Sequence, residues 1–269
     1  MQHDFDGNLP FMGLSEVWNL FLEGPGSIEV WSGLPFSVTL LTILLAHEMG
    51  HYLTCRHYGL RSSLPYFLPA PVLIGTFGAF IRIRSVIQSR RTLFDVAFAG
   101  PAAGFMFAIP ALGIGLALSK VVPGIGAEHQ IHFGAPPLLW ALERLVFPGI
   151  PSEDIYLHPV ARAAAIGLLA TAWNLLPIGQ LDGGHILYAF SGRLHKRLSF
   201  AVLGLLLVAG LFFWRGWLVW AFLLLFARRH PSVYDSEPLG LERGRLGWAS
   251  VAMFLLSFTV TPFEDRSLF

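Results

Sequence analysis

The chain has 269 residues, of which 54% are hydrophobic and 13% are charged, and its formal net charge at pH 7 is +1. Because soluble domains usually carry about 25% charged residues, this composition excludes an ordinary soluble protein and indicates an integral membrane protein. The small net charge gives no sign of nucleic-acid binding.

Six apolar stretches are long enough, or nearly long enough, to cross a lipid bilayer. In chain order they are residues 34–55, 93–119, 159–177, 199–214, 217–227 and 246–262. The fourth and fifth stretches are short and only Arg215 and Gly216 separate them, so a tight helical hairpin and a total of five spans are the alternatives. The predicted fold class is an all-α polytopic membrane protein with about six transmembrane helices.

The basic residues predict the orientation of these spans. Thirteen of the 18 lysines and arginines fall in residues 56–91, 193–197 and 228–245, which is consistent with one cytoplasmic face. The first and third spans would then end on the cytoplasmic side. Asp95 lies near Arg90 and Arg91 at a helix start, where a helix cap or an ion pair explains it.

Three parts are predicted along the chain. Residues 1–33 form an external N-terminal segment that has no lysine or arginine and therefore lacks the basic region of a signal peptide. Residues 34–230 form the membrane core. Residues 231–269 form a cytoplasmic linker and the last transmembrane helix.

The first apolar stretch contains His47-Glu48-Met49-Gly50-His51. On a helix, His47 and His51 share one face a turn apart, so both imidazoles can ligate one zinc ion while Glu48 stands beside its water. This pattern also arises by chance in soluble helices. An ionised glutamate at membrane depth, however, costs about 2.5 to 3.5 kcal/mol on insertion scales, which favours a functional site. The motif predicts metal-dependent peptide hydrolysis within a bilayer.

A zinc hydrolase needs a third protein ligand and an open position for water. Cys55 is the single cysteine, so the ligands must be histidines and carboxylates. Asp182 is the best third ligand, because it is an acid near membrane depth and the glycines that follow it allow close backbone approach. His185 is the alternative ligand.

Residues 75–84 lie between the first two predicted helices and alternate residue types with a period of two. They follow a proline-rich stretch, and the combination predicts a short, apolar extended element that re-enters the membrane. Such an edge can pair with the backbone of an unwound substrate. The alternative is a purely structural re-entrant loop.

Three sequence features together resemble the site-2 protease family of intramembrane zinc metalloproteases. They are the His47–His51 motif, the Ala99-Gly-Pro-Ala-Ala-Gly104 stretch, and Asn174-Leu-Leu-Pro-Ile-Gly-Gln-Leu-Asp-Gly-Gly184. The resemblance spans roughly residues 34–190.

The resemblance implies a zinc metalloendopeptidase with Zn²⁺ as its cofactor. Its implied metal ligands are His47, His51 and Asp182, and its catalytic carboxylate is Glu48. Asn174 would help to stabilise the tetrahedral intermediate. The extended element would hold the substrate, with the contacts placed at Gly75, Phe77, Gly78 and Phe80.

The expected function is cleavage of peptide bonds within or near transmembrane segments, as in regulated intramembrane proteolysis. The expected partners are transmembrane protein substrates and the lipid bilayer, without nucleic acid. The expected location is a prokaryotic cytoplasmic membrane, with the chain crossing it several times and the active site toward the cytoplasmic side. The alternative is a membrane zinc transporter or a metal-binding scaffold without proteolysis. A transporter would show polar positions along several spans and an internal repeat, which this sequence does not display.

Overall fold

The computed structural model describes residues 33–69, 76–125, 131–227, 230, 233 and 237–265. These residues are mostly helical. The eight α-helices are α1 (Leu34–His57), α2 (Arg90–Ala117), α3 (Pro137–Val146), α4 (Pro159–Asn174), α5 (Asp182–Phe190), α6 (Gly192–Phe212), α7 (Gly216–Ala227) and α8 (Leu241–Ser257).

Short antiparallel strand pairs connect some of these helices. The pairs are β1 (Tyr66–Pro69) with β2 (Thr76–Phe80), β3 (Lys120–Val121) with β5 (Ile155–Tyr156), and β4 (Ile131–Phe133) with β6 (Phe263–Asp265). The β1–β2 hairpin lies between α1 and α2, where the sequence predicts an extended element. A 3₁₀-turn at Ser152–Asp154 precedes β5.

Two described helices are long and apolar enough to cross a membrane, namely α2 with 28 residues and α6 with 21. The α1 helix has 24 residues, but its polar motif lowers its mean hydropathy. The α4 and α8 helices have 16 and 17 residues. The prediction of a mostly helical chain with apolar helices is confirmed, and the count of six spans stays a prediction.

The ends of α1 and α2 follow ordinary helix signals. Gly59 follows α1 with a φ of 67°, and the amide of Leu60 donates to the carbonyl of Cys55 at 2.8 Å, which closes the helix as glycine typically does. Ser89 caps α2, because its hydroxyl accepts from the amide of Arg91 at 3.2 Å. These signals fix where the hairpin between the two helices begins and ends.

The α1, α2 and α4 helices form the centre of the molecule and contact one another through small residues. Gly50 of α1 lies against the backbone of Ala99, and Gly115 of α2 lies against the backbone of Ala161, so a Cβ at either glycine would collide. Such contacts let membrane helices approach closely where the hydrophobic effect gives no driving force. One cluster of buried side chains in this region comprises Ile43, Ala108, Leu112, Leu116, Leu139, Ala161, Ala164 and Leu168.

The α6 and α7 helices form a tight hairpin, which was one of the two alternatives from the sequence. Only residues 213–215 separate them, and Gly210 packs against Leu218. Trp217 is fully buried, and its indole N–H donates to the carbonyl of Val260 at 2.6 Å. The hairpin is thereby attached to the chain that follows α8.

An ion pair joins α8 to the arginine-rich ends of α1 and α2. The guanidinium of Arg243 donates to both carboxylate oxygens of Asp95, at 2.8 and 2.6 Å, and the hydroxyl of Tyr58 donates to the same carboxylate. The nearby arginines do not explain Asp95, because Arg91 instead contacts Glu237 and the carbonyl of Pro238. The interpretation of Asp95 as a local cap or pair is corrected: its partner lies 148 residues away.

We expect Asp95→Asn and Arg243→Gln to lower the thermal stability of the purified protein non-additively. Each single change leaves a partly buried partner without its counter-ion, whereas the double variant leaves neither charge alone. A double-mutant cycle should give a coupling of about 1 kcal/mol or more. Glu237→Gln is the matched control, because the Arg91–Glu237 pair is 3.3 Å long and about half exposed, and it should change little. Strict additivity would contradict the role assigned to the Asp95 pair.

Candidate metal centre

The α1 helix places His47 and His51 side by side. Their Nε2 atoms lie 3.1 Å apart and their ring centroids 4.8 Å apart. Both residues are buried, with 6% and 7% of their surface exposed. The i, i+4 spacing therefore produces the shared face that the sequence predicts.

Asp182 meets these histidines from the first turn of α5. Its Oδ2 lies 3.2 Å from Nε2 of His47 and 3.4 Å from Nε2 of His51. Two glycines make this approach possible, because a Cβ at Gly183 or Gly184 would collide with backbone carbonyls of residues 175–179. Asp182 also lies at a helix N-terminus, where the helix dipole favours a negative charge.

These three donor atoms fit a zinc ion. Tetrahedral ligands at bond lengths of about 2.0 to 2.1 Å lie about 3.3 Å from one another. The three separations here, 3.1, 3.2 and 3.4 Å, match that spacing. Two imidazoles and one carboxylate form a donor set typical of catalytic zinc. The structure therefore brings the residues predicted as metal ligands together in a suitable arrangement.

A backbone carbonyl orients His51. Nδ1 of His51 lies 2.8 Å from the carbonyl oxygen of Val96 in α2. Since a carbonyl can only accept, Nδ1 carries the proton and the lone pair of Nε2 faces Asp182. This is how protein groups behind the ligands commonly set a metal-binding histidine.

Two glycines of α2 make room for the imidazoles. A Cβ at Gly100 would overlap the ring of His51, and a Cβ at Gly104 would lie 3.3 Å from Cβ of His47. The four-residue spacing of these glycines is a sequence signal for close helix packing. The sequence did not predict that these two glycines lie against the histidine side chains. The contact of Val96 with His51 was not predicted either, because no pattern in the sequence indicates it.

Glu48 and Asn174 both lie beside the three donor atoms. A carboxylate oxygen of Glu48 lies within 4.8 Å of ligand nitrogens of His47 and His51. The backbone of Ile81, just after β2, lies close enough to the Glu48 carboxylate to interact with it. The amide nitrogen of Asn174, the last residue of α4, lies 3.5 Å from Nε2 of His47. The site thus contains a carboxylate and an amide donor in addition to the ligand set.

His185, the alternative third ligand, has a different partner. Its Nδ1 lies 2.6 Å from Nε2 of His230, whereas the Asp182 oxygen contacts both motif histidines. The geometry therefore favours Asp182.

The residues predicted to bind substrate are placed as follows. Gly75 lies outside the described residues, and Phe77 is described in its backbone only. Gly78 has a φ of 112°, which glycine readily adopts, and its amide donates to Oγ1 of Thr76 at 3.0 Å. Phe80 is exposed and pairs with Tyr66 of β1. Their contact with substrate stays a prediction.

Comparisons with known proteins agree with the site. The sequence model of peptidase family M50 matches residues 35–214. The probable zinc metalloprotease EGY1, chloroplastic, of Oryza sativa subsp. japonica is 31% identical over 249 residues, which cover 88% of this chain and 42% of that protein. The protein of the same name from Arabidopsis thaliana is 30% identical over 247 residues, covering 87% of this chain and 44% of its own length.

A third relative is the probable zinc metalloprotease EGY2, chloroplastic, of Arabidopsis thaliana, which is 30% identical over 264 residues. These cover 92% of this chain and 47% of the relative. The chain spans less than half the length of these curated relatives. No solved structure matches it. The family match and the relatives' names support a zinc metalloprotease and confirm the resemblance to site-2 proteases and the expected Zn²⁺.

The expected location is wrong. The sequence predicts a prokaryotic cytoplasmic membrane, with the active site toward the cytoplasm. The relatives are chloroplastic plant proteins, which contradicts that location. Hydropathy and charge do not distinguish one bilayer from another.

Asp182→Ala should lower the zinc content of the purified protein, because it removes a ligand atom that contacts both histidines. His185→Ala should leave the equilibrium zinc content near that of the unmodified chain. Metal analysis by mass spectrometry, with thermal stability as a check on folding, measures both. Loss of zinc in the His185 variant alone would assign the third ligand to His185.

Proposed function

Because the chain belongs to peptidase family M50, the site-2 protease family, we propose that it is a zinc metalloprotease that hydrolyses peptide bonds within or near transmembrane segments. One observation carries this proposal. The three donor atoms of His47, His51 and Asp182 lie at tetrahedral ligand spacing inside a bundle of apolar helices. A protease that cleaves soluble peptides would not need its site inside a bundle of apolar helices.

Zinc, when bound, supplies a Lewis acid that activates water and polarises the scissile carbonyl. The proposed ligands are the two Nε2 atoms of the motif histidines and Oδ2 of Asp182. The carbonyl of Val96 keeps the His51 proton on Nδ1, so the lone pair of Nε2 would be available to the metal ion.

Glu48 is the proposed general base. It stands next to His47 in the motif, within 4.8 Å of the ligand nitrogens, so its carboxylate can take a proton from the attacking water. The same group can then deliver the proton to the leaving amine. The backbone of Ile81 lies beside this carboxylate.

Asn174 is the proposed donor to the tetrahedral intermediate. Its amide nitrogen lies 3.5 Å from Nε2 of His47, so it could donate to a carbonyl oxygen that gains negative charge beside the ligand set. Pre-positioned donors of this kind stabilise that charge strongly, because the surroundings exclude water.

β2 is the proposed substrate-binding strand, and the substrate would pair along its open edge. Backbone groups of successive strand residues point to opposite edges. On the β1 side, the carbonyl of Arg82 accepts from the amide of Ser63 and its amide donates to Oγ of Ser63. Ile81 lies near Glu48 on the opposite side. Ala79 shares the direction of Ile81, so its backbone groups face the open edge. An unwound substrate pairing there would satisfy backbone groups that each cost several kcal/mol if left unpaired in lipid.

The proposed partners are transmembrane proteins, and the relatives support a chloroplast membrane as the location. The re-entry of the β1–β2 hairpin into that membrane is part of the proposal. The transporter alternative finds less support, because the described polar groups of α1 and α5 converge on one ligand set.

Glu48→Gln should reduce cleavage of a transmembrane substrate by about 100- to 10,000-fold, the usual contribution of a general base. Zinc content should stay near that of the unmodified chain, because the three ligand atoms are retained. The assay is cleavage of a reconstituted transmembrane substrate by purified protein, with metal content measured on the same samples. Robust cleavage by this variant would refute the assigned role.

Ala79→Pro should slow cleavage of a transmembrane substrate while leaving zinc content and thermal stability nearly unchanged. Proline removes the amide that the alternation of the strand assigns to the open edge. Phe80→Pro is the matched control, since it removes an amide that faces β1. If β2 is only structural, Phe80→Pro should damage stability and cleavage together, and Ala79→Pro should be silent.

A further inference from the structure

Two buried polar side chains of α6 bind the turn between α4 and α5. Nε2 of His195 lies 3.0 Å from the carbonyl oxygen of Gly179, and because a carbonyl can only accept, Nε2 carries the proton and donates. Oγ of Ser199, one helical turn further along α6, accepts from the amide of Gly179 at 3.4 Å. Both side chains are buried. The amide and the carbonyl of Gly179 are therefore both bound by α6.

Gly179 occupies a part of the chain that has no regular backbone pairing. Residues 175–181 lie between α4 and α5, and Gly179 has a φ of 60°, in the left-handed region that glycine readily adopts. Within the turn, the amide of Ile178 donates to the carbonyl of Leu176, and the amide of Leu181 donates to the carbonyl of Ile178. Neither bond uses Gly179. Because buried backbone groups need partners, the bonds from α6 stabilise this conformation of the turn.

The first turn of α5 packs on the same backbone atoms. A Cβ at Gly184 would lie 2.5 Å from the carbonyl oxygen of Gly179, which is the atom that accepts from His195. Gly183 lies directly against the carbonyl of Leu175. Since α5 begins at Asp182, the position of the turn determines where this carboxylate lies. A shift of Gly179 would displace Asp182 as well.

The metal centre tolerates little displacement of Asp182. Its Oδ2 lies 3.2 and 3.4 Å from the Nε2 atoms of His47 and His51, and functional sites generally need their groups held to within about 0.5 Å. The α6 helix also contacts α5 directly, because the rings of His195 and Tyr188 meet edge-on with centroids 5.7 Å apart. The imidazole of His195 thus contacts both the turn and the helix that carries the third ligand.

We propose that His195 is a positioning residue for the metal centre. Its hydrogen bond to Gly179, supported by the weaker contact of Ser199, fixes the turn that places Asp182 and so determines how tightly the three ligands hold zinc. The inference rests on the proposed zinc ligation by those ligands. His195 acts through Gly179 and is not itself a ligand.

Two substitutions of His195 separate hydrogen bonding from packing. His195→Leu fills much of the same space but removes the donor, and His195→Gln keeps an N–H donor at a similar distance from the backbone. The full-length protein is purified in detergent and stripped of metal with a chelator, and its zinc affinity is measured by competition with a zinc-sensitive dye. We expect His195→Leu to weaken zinc binding about tenfold or more, as the loss of groups that orient metal ligands does. His195→Gln should stay within about threefold of the unmodified chain.

Cobalt(II) bound in place of zinc gives a second readout that does not depend on activity, because its visible absorption bands reflect ligand geometry. The bands should shift in His195→Leu and should be retained in His195→Gln. Ser119→Ala is the matched control. The hydroxyl of Ser119 accepts from the amide of His158 at 3.0 Å, so it also holds a turn that precedes a helix, but at the end of α4 far from Asn174. This control should lower thermal stability without changing zinc affinity or the cobalt bands.

Unchanged zinc affinity and cobalt bands in His195→Leu would overturn the proposal. Equal losses in His195→Leu and His195→Gln would also overturn it, because they would show a packing role. Ser199→Ala tests the same turn if His195→Leu does not fold. It removes the weaker contact with Gly179 and should reduce zinc affinity about threefold, which is typical of one neutral hydrogen bond. Unchanged affinity in that variant would then refute the role of the turn.

The Asp182→Ala variant separates this inference from the proposed ligand set. The unmodified chain should bind one zinc ion, and Asp182→Ala should bind it much more weakly. If Asp182→Ala binds zinc as tightly as the unmodified chain, the ligand assignment itself fails. If Asp182→Ala loses affinity but His195→Leu does not, the ligand assignment holds and only the positioning role of His195 fails.

Discussion

The close approach of α2 to α1 is the constraint on which the metal centre depends. The imidazole of His51 lies against Gly100, and that of His47 lies against Gly104, so a side chain at either glycine position would occupy space that the rings need. At this separation the carbonyl of Val96 reaches Nδ1 of His51. The packing that joins α1 and α2 therefore also sets the tautomer of a proposed metal ligand.

The Asp182 side of the site also depends on close packing at glycines, which here lie in a different part of the chain. Gly183 and Gly184 lie directly on carbonyls of the turn between α4 and α5, and this places the N-terminus of α5 beside α1. A carboxylate in apolar surroundings is costly unless it is paired. The helix dipole and two imidazoles offset that cost, and a divalent ion between them would offset it further. Burial and ligation are thus coupled in this site.

The sequence predicts those parts of the site whose geometry is local. The spacing of His47 and His51 determines their shared face on a helix, and Asp182 is recognisable as an acid in an apolar context. The partners of Asp95 and His185 could not be predicted, because Arg243 and His230 reach them only through tertiary packing. The number of spans is a separate case. Six spans are predicted, but only two described helices are long and apolar enough to cross a membrane, because the other helices are shorter or more polar.

If substrate pairs with β2 as proposed, the length of this strand restricts which substrates suit the site. β2 has five residues, and every second residue directs its backbone toward the open edge, so only a few substrate groups can pair there. The remaining backbone of a substrate must keep its own helical hydrogen bonds, because unpaired groups in lipid are costly. A suitable substrate therefore unwinds over a short segment only. Glycine and proline disfavour a helix by about 1 and 3 kcal/mol, so segments that contain them meet this requirement at the lowest cost.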